Sequence, residues 1–586
     1  MRQNGSEKCM IKKNIKCVLG HQDIPIIQEQ PEFAVDLLQT NILLFGLSMS
    51  GKTNFLKLII NILHKQYRET DEQIFILDFG GALAEYETLP LVSAYFDNAN
   101  EEYVKRVFKL MEDQLKHNIS KLKGKNYCSC EDFQPIHTTL IIDNVNAFLD
   151  EPRYQAYQES LAKICRDGLS KGITVIMTAS ATKGLNSYMN SFKQKIALEL
   201  PTESYMDIFN HKVIPVGSNP GHGYANVTII PEDLTATFPI QNAYELQLNY
   251  ADDIKEQTFK NNLTKHFDNC TVKKYKRFPE ILNESKLEEF LKCDNAESFD
   301  KTKLLSNNSV IIGLDYTECK PYSVDYDNEK VIAIYGKKEF GKTNLLTRLL
   351  KNMLADEKYK FVFFDDGREQ LKENLADTIK SDTRKEYIQG YEKQNLPQKD
   401  GEIQNVSLSP MQIFLKYIHD NYMDLSTIRR AGNLILNEIF GTKFKWDYDR
   451  TENYNNNSNT VFVLQSKFLY VNTMASKIFM EIILPSLAVQ AEEKNWIFIF
   501  TDVKNISDSD TRDNFNSTIE TAFLLDNIAE FVSERGQKSV FCNMDVKSLK
   551  EEYARCELGD GYVYSIEKDL LSKLKFVKNG EMFEDE

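Results

Sequence analysis

The sequence has no run of about 18 uncharged apolar residues, the length a membrane-spanning helix needs. Its most apolar stretches, Phe55 to Leu63 and Ile478 to Val489, are short and interrupted. No transmembrane helix is expected, and any work at a membrane would be done through partners. The opening residues, MRQNGSEKCMIKKNIK, hold no apolar core segment, so no signal peptide is expected either. Paired cysteine motifs are scarce. Of ten cysteines only Cys128 and Cys130 lie close together, without a second pair or nearby histidines. That makes a poor zinc site and suits reduced thiols in a cytosolic protein. A basic balance is missing as well: the formal net charge is −15. Sequence-independent grip on nucleic acid depends on Lys and Arg neutralising phosphates, so nucleic acid is not an expected partner. The last residues, Glu581-Met582-Phe583-Glu584-Asp585-Glu586, are acidic where a DNA-binding tail would be basic.

What is present is an ordinary globular composition, 42% hydrophobic and 27% charged, on a chain of 586 residues. That is too long for one core, so two to four domains are expected. The chain is organised around NILLFGLSMSGKTNFLKLIINIL, Asn41 to Leu63. It reads as apolar strand, glycine-bounded loop and apolar helix. The loop Gly46-Leu47-Ser48-Met49-Ser50-Gly51-Lys52-Thr53 fits G-x-x-x-x-G-K-T. Gly46 allows a sharp turn out of the strand, and Gly51 lets backbone approach a phosphate. The loop amides and the helix N-terminus face an anion. Lys52 would reach the β and γ phosphates of ATP, and Thr53 would ligate Mg2+.

Downstream, QIFILDFGG (Gln73 to Gly81) is a buried strand ending in Asp78 and paired glycines. Asn100 to Leu122 has helical periodicity with many charges. HTTLIIDNVNAF places Asp143 at the carboxyl end of another buried strand, a Walker B arrangement in which the carboxylate orients Mg2+ opposite Thr53. A helix over Tyr154 to Leu169 precedes the strand GITVIMTAS, whose Thr178 and Ser180 are candidates to sense the γ-phosphate. Alternating strands and helices predict α/β folding on a mainly parallel sheet, with ligands at the strand carboxyl ends. From Leu263 to Asn308 periodicity weakens, and Lys273-Lys274-Tyr275-Lys276-Arg277 reads as a solvated connector.

The second half repeats the first. EKVIAIYGKKEFGKTNLLTRLL carries Gly336-Lys337-Lys338-Glu339-Phe340-Gly341-Lys342-Thr343, again between strand and helix. FVFFDDG parallels FILDFG, and IIGLDYTECKPYSVDY parallels VLGHQDIPIIQEQPEFAVDL. WIFIFTD, ending at Asp502, is expected to be the second Walker B strand, with Asp502 and Thr343 as its metal-side residues. QKSVFCNMD is expected to parallel GITVIMTAS. The Asn-rich Asp447 to Asn459 reads as a loop or insertion. Two domains follow, residues 1–265 and 266–586.

Hydrolysis needs a group that orients or deprotonates water. Many multimeric motor ATPases carry Glu after the Walker B Asp, but here Asn144 follows Asp143 and Val503 follows Asp502. Asp78, and Asp365 or Asp366 in the second half, are alternatives as catalytic carboxylates or as plain turn caps. Glu339 puts a negative charge in the second loop, which should weaken phosphate binding there, with Lys337 and Lys338 as offsets. The expected result is a first half that holds MgATP and hydrolyses it slowly, and a second, weaker site.

These stretches, with LGHQDIP, ILDFGGALAEYETLP, SFKQKIALEL followed by PGHGYA, VFVLQSKFLY and LGDGYVYSIEKDLLSKLKF, resemble the FtsK/SpoIIIE ATPases, and most closely the EssC-type (YukB-like) ATPases of type VII secretion. The resemblance covers nearly the whole chain and corresponds to the last two of three modules. It implies tandem RecA-like P-loop domains that bind ATP and are mainly regulatory. It also implies WXG100-type secreted substrates, other secretion components and hexameric assembly, with the protein cytoplasmic and peripheral at the membrane. Pro220-Gly221-His222-Gly223 departs from the family's Pro-Gly-Arg-Gly, removing a guanidinium from a subunit-interface position. The other readings are a DNA translocase of the FtsK class and a non-catalytic nucleotide-binding adaptor.

Overall fold

A computed structural model describes residues 14–229, 240–251, 273–292, 308–365, 385–397, 403–422, 459–465 and 473–579, apart from short stretches within these spans. Residues 447–458 of the Asn-rich segment, Asp366 and the acidic last residues lie outside the described residues. The chain divides into two compact units, Met1–Arg277 and Phe278–Glu586.

Among the described residues the first unit is built on one sheet of ten strands: β1 (Lys16–Gln22), β2 (Glu32–Asp36), β3 (Ile42–Phe45), β4 (Glu72–Asp78), β5 (Val92–Asp97), β6 (His137–Asp143), β7 (Ile173–Ala179), β8 (Gln194–Ala197), β9 (His222–Ile229) and β10 (Ile240–Leu248). Their spatial order is β2-β1-β10-β9-β8-β3-β7-β6-β4-β5. The six strands from β8 to β5 are parallel. The four from β9 to β2 extend the sheet in antiparallel fashion. Every residue of β4, β6 and β7 is buried, as a sheet covered on both faces requires. Alternate residues feed two cores. Ile42, Leu44, Ile76 and Ile141 pack with the helix Lys52–Gln66, and Leu43, Phe45, Leu77 and Ile142 pack with the helices Glu101–Leu122 and Gln155–Asp167.

The second unit contains β11 (Leu282–Asn283), β12 (Ser309–Asp315), β13 (Pro321–Asp325), β14 (Val331–Gly336), β15 (Lys360–Asp365), β16 (Lys385–Gln389), the hairpin β17 (Lys393–Pro397) and β18 (Ile403–Ser407), β19 (Thr460–Gln465), β20 (Ile497–Thr501), β21 (Thr521–Leu525), β22 (Asp560–Ser565) and β23 (Leu570–Lys578). Its main sheet runs β13-β12-β23-β22-β21-β14-β20-β19-β15-β16, strand for strand the order of the first. The repeated lead-in is structural too. Each first hairpin carries a bulge, between Val18 and Gly20 and between Ile311 and Gly313, that ends on a glycine. A Cβ there would lie 2.1 Å from the Gln247 carbonyl or 2.4 Å from the Lys575 carbonyl, so neither position admits a side chain.

This order corrects two sequence assignments. WIFIFTD forms β20, which lies beside the P-loop strand β14 as β7 lies beside β3. It is therefore the counterpart of GITVIMTAS, and the counterpart of the Walker B strand is β19, TVFVLQ. QKSVFCNMD forms no strand among the described residues. Both β19 and β20 are short apolar runs ending in polar residues, and only long-range pairing tells them apart.

Two further expectations change. Within Lys273 to Arg277, three residues are docked and not solvated: Lys274 Nζ donates to the Val92 carbonyl at 2.7 Å, the Tyr275 amide to the Ser93 carbonyl at 2.7 Å, and Arg277 pairs with Asp97 at 3.0 Å. The first unit accordingly ends after Arg277 and not at residue 265. The helical stretch Met474–Lys494 is long and apolar enough, by length and composition, to cross a bilayer. Ala475, Ile478, Phe479, Met480, Ile483, Leu484, Leu487 and Ala491 nevertheless pack into the core of the second unit. Its π-helical turn, Phe479–Ile483, widens the helix just before Pro485, which has no amide hydrogen to give.

Candidate functional site

In the first unit β3 runs into the loop Gly46 to Thr53, and a helix begins at Lys52. The loop hangs between neighbouring strand ends: the Gly46 amide donates to Ala179 O at 3.0 Å and the Leu47 amide to Glu199 O at 2.9 Å. Met49 and Gly51 take left-handed backbone, φ 65° and 109°. The turn of Pro220 to Gly223 braces the loop from behind. The Gly221 amide donates to Ser50 O at 2.8 Å, and a Cβ on Gly51 would sit 2.7 Å from that amide nitrogen. His222, in the place of the family's arginine, faces Glu245 at 3.7 Å.

Three observations fit this cradle to a phosphate. The helix has no side-chain cap, so its first amides are not met by the usual Ser, Thr, Asp or Asn oxygen. Ser50 Oγ is buried with no hydrogen-bond partner. Lys52 Nζ folds back onto Gly46 O and Leu47 O, 2.7 Å from each, neutral acceptors that an anion would outbid. Burial lowers the Lys52 pKa, and the Asp143 charge works against that.

Asp143 ends β6, buried and opposite Asp78 of β4. Its carboxylate accepts the Thr178 hydroxyl, and that hydroxyl accepts the Asn144 amide at 2.8 Å. Burial pushes the Asp143 pKa up and the Thr178 hydrogen bond pulls it back. Asp78 adds to the rise and Lys52 opposes it. Asn144 is left-handed, φ 58°, a conformation that Asn tolerates and most residues do not. Ser180, the other sensor candidate, is held by Asn146, which accepts the Ser180 amide at 2.8 Å. Asp78 is committed to its turn: it accepts the amides of Gly80, Gly81 and Leu83 and the hydroxyl of Tyr95, at 3.1, 2.6, 2.7 and 2.9 Å. That matches the turn-cap alternative. Gly80 was not singled out in the sequence, yet a Cβ there would fall 2.4 Å from Asp143 Oδ2.

The second unit repeats the cradle and changes its chemistry. The helix Lys342–Ala355 also starts uncapped behind a left-handed Gly341, φ 96°. Glu339 occupies the left-handed place of Met49 and points to solvent, its side chain 83% exposed, which screens the charge expected to disfavour phosphate. Phe364 pairs with Leu464, so Asp365 and Gln465 follow in the register of Asp78 and Asp143. Gln465 faces Thr501, as Asp143 faces Thr178. The position of the Walker B carboxylate thus holds an amide. Asp502 falls one strand over, where the first unit has Ala179, and its carboxylate lies 3.4 Å from Lys342 Nζ. Lys337 is paired with Asp526 at 3.0 Å and Glu530 at 3.2 Å.

Among the described residues no group of three or more His, Cys, Asp or Glu is placed to hold a metal by itself, so Mg2+ would be held jointly with a nucleotide. Thr53 and Asp143 would be the first unit's residues for it.

In both units the residue after G-K-T, an asparagine, clamps the end of the last strand. Asn54 donates to Asn249 O at 2.8 Å and accepts the Ala251 amide at 2.9 Å; Asn344 does the same with Val577 O and the Asn579 amide, both at 2.8 Å.

No family model matches the chain. It is 21% identical over 378 residues to the type VII secretion system protein EssC of Staphylococcus aureus (strain MRSA252), 62% of this chain and 24% of that protein. It is 24% identical over 405 residues to the ESX secretion system protein EccC of Geobacillus thermodenitrificans, 63% of this chain and 26% of that one. Among solved structures, ATPases 2 and 3 of EssC from Geobacillus thermodenitrificans superpose with a TM-score of 0.58 at 17% identity, covering 98% of both chains. The chain is similar in sequence to the EssC/EccC secretion ATPases and shares the fold of ATPases 2 and 3 of EssC. Thermomonospora curvata EccC (ATPases 2 and 3), in complex with a signal sequence peptide, superposes with a TM-score of 0.56 at 15% identity over 99% of this chain and 95% of that one. The chain spans about a quarter of the length of the EssC/EccC relatives it matches.

Proposed function

We propose that the chain supplies two tandem nucleotide-binding modules to a type VII protein-secretion ATPase. The first unit binds MgATP: Gly46 to Thr53 and the uncapped helix start hold the phosphates, Lys52 meets their charge, and Thr53 with Asp143 hold Mg2+. When bound, the metal supplies charge neutralisation at the phosphates. The residues of the chain orient the nucleotide and exclude water. The observation that carries this reading is the convergence of Lys52, the unpartnered Ser50 hydroxyl and the Asp143–Thr178 pair at the carboxyl ends of β3, β6 and β7.

Hydrolysis is slow, because Asn144 stands where a glutamate base would and the carboxylate of Asp78 is taken up by its turn. Occupancy then regulates recognition and assembly more than it drives movement. The similar structure solved with a signal sequence peptide supports a secreted protein as the partner, and the sequence resemblance implies one of the WXG100 class. The expected setting is cytoplasmic and peripheral at the membrane, with self-assembly into a hexamer.

Equilibrium titration with a fluorescent ATP analogue tests the reading. Lys52→Ala should remove most of the Mg2+-dependent binding, and unchanged affinity would overturn the first-site assignment. A salt-sensitive, DNA-stimulated ATPase activity would favour a DNA translocase instead.

A further inference from the structure

The second P-loop lysine already has an anion. Asp502 Oδ1 stands 3.4 Å from Lys342 Nζ, the two side chains 27% and 16% exposed. Lys342 also donates to the carbonyls of Gly336 at 3.1 Å and Lys337 at 2.6 Å, as Lys52 does to Gly46 and Leu47; the difference is that the position equivalent to Asp502 in the first unit is Ala179, which offers no side-chain charge. The backbone of Asp502 is left-handed, φ 54°, and the amide of the next residue, Val503, donates to Ile334 O at 3.2 Å, which fixes the strand end against β14. Lys337, which stands where the first unit has Leu47, is paired with Asp526 and Glu530. Meanwhile the position that holds a metal-facing carboxylate in the first unit holds Gln465. A carboxylate has therefore been lost where it would hold Mg2+ and is present where it meets the phosphate-binding cation.

We propose that Asp502 is the internal counter-ion of Lys342, competing with a nucleotide phosphate for the ammonium, so that the second unit takes nucleoside polyphosphates weakly and without dependence on Mg2+. This rests on reading Lys342 as a phosphate-binding lysine. The sequence order suggested the opposite role for Asp502, that of a metal ligand. The two roles predict changes of opposite sign. Neutralising a competing counter-ion tightens phosphate binding, whereas neutralising a metal ligand weakens it.

The experiment uses the full chain carrying Lys52→Ala, which silences the first unit, titrated with a fluorescent ATP analogue in Mg2+ and in EDTA. Asp502→Asn should raise affinity about tenfold or more, as removal of one nearby charge in a half-buried site implies. The gain should appear in both buffers and vanish when Lys342→Ala is added. A misfolded variant cannot produce such a gain. Unchanged affinity, a gain that survives Lys342→Ala, or weaker binding confined to the Mg2+ arm would overturn the proposal. A parallel chain with Lys52 intact and Lys342→Ala reads the first unit alone, and its failure to bind MgATP would count against the first-site reading and not against Asp502.

Discussion

Thr178 gives its hydroxyl hydrogen to Asp143 and receives the Asn144 amide, so one side chain of β7 ties down the carboxyl end of β6. Thr178→Val removes that link without changing shape. The Asn144 amide loses its acceptor, which costs about 1–3 kcal/mol. Burial already raises the Asp143 pKa and Thr178 opposes that rise, so the variant should titrate higher still. Metal binding needs the ionised form. Mg2+-dependent nucleotide affinity, measured between about pH 5 and pH 8, should therefore fail at a higher pH in the variant than in the parent. An identical acid limb in both would mean that Asp143 is not the titrating group.

Gly51 and Gly341 fill the same place in the same motif, yet Ala should not cost the same at each. Both residues are left-handed, which penalises Ala by about 1–2 kcal/mol. At Gly341 the added Cβ meets only Leu525 Cδ2, at 3.6 Å. At Gly51 it meets the Gly221 backbone nitrogen at 2.7 Å, so the bracing turn must move. Hydrogen exchange resolved by unit should show a clearly larger loss of protection in the first unit for Gly51→Ala than in the second for Gly341→Ala. Equal losses would show that the Gly221 turn gives way freely.

Gln465→Asp restores a carboxylate at the register position of Asp143, opposite Thr501, which can donate as Thr178 does. In a chain with Lys52→Ala, this change should make nucleotide binding by the second unit respond to Mg2+, with affinity at least several-fold higher in Mg2+ than in EDTA. No difference between the buffers would mean that strand register alone does not define a metal position.

His64 sits inside the helix that follows the first P-loop, nearly fully buried. Its Nε2 accepts the Leu91 amide at 3.1 Å, so Nδ1 carries the proton and donates it to Ile60 O, 2.7 Å away. Burial lowers its pKa to about 4. The unfolded chain, with an ordinary imidazole near 6.5, then binds the extra proton first. Stability from this site is complete above about pH 6.5 and is lost as pH falls towards 4, on the order of 3 kcal/mol in all. Urea unfolding of the first unit at pH 7 and at about pH 4.5 should show the drop. His64→Gln should flatten it.

Both P-loops were legible because the signal is local: strand, eight residues, helix. The lead-ins were legible as a repeated extended stretch but not as bulged hairpins, because what forbids a side chain at Gly20 and Gly313 is the backbone of the strand from the far end of the unit. The second Walker B strand was not. TVFVLQ and WIFIFT are equally apolar, and an Asp beside the latter drew the assignment to Asp502. Which of the two lies against β14 is decided by partners more than a hundred residues apart in sequence, with no mark in either strand. The docking of Lys274 and Tyr275 on the edge strand β5 was hidden likewise, because a run of charges looks solvated until the carbonyls and the Phe75 ring it meets are known. The bracing of Ser50 by Gly221 joins residues from opposite ends of the unit, and a glycine in a turn gives no hint of what lies beneath it.

The clamps made by Asn54 and Asn344 have a mechanical reading. Each unit's last strand is pinned, at the point where the chain leaves the sheet, to the opening turn of the helix that would sense a phosphate. A rotation or slide of that helix is passed to the departing backbone through two short, opposed hydrogen bonds, with no slack segment between them. The P-loop and the antiparallel part of the sheet therefore share one joint in each unit, an amide side chain that grips backbone on both sides of a strand end.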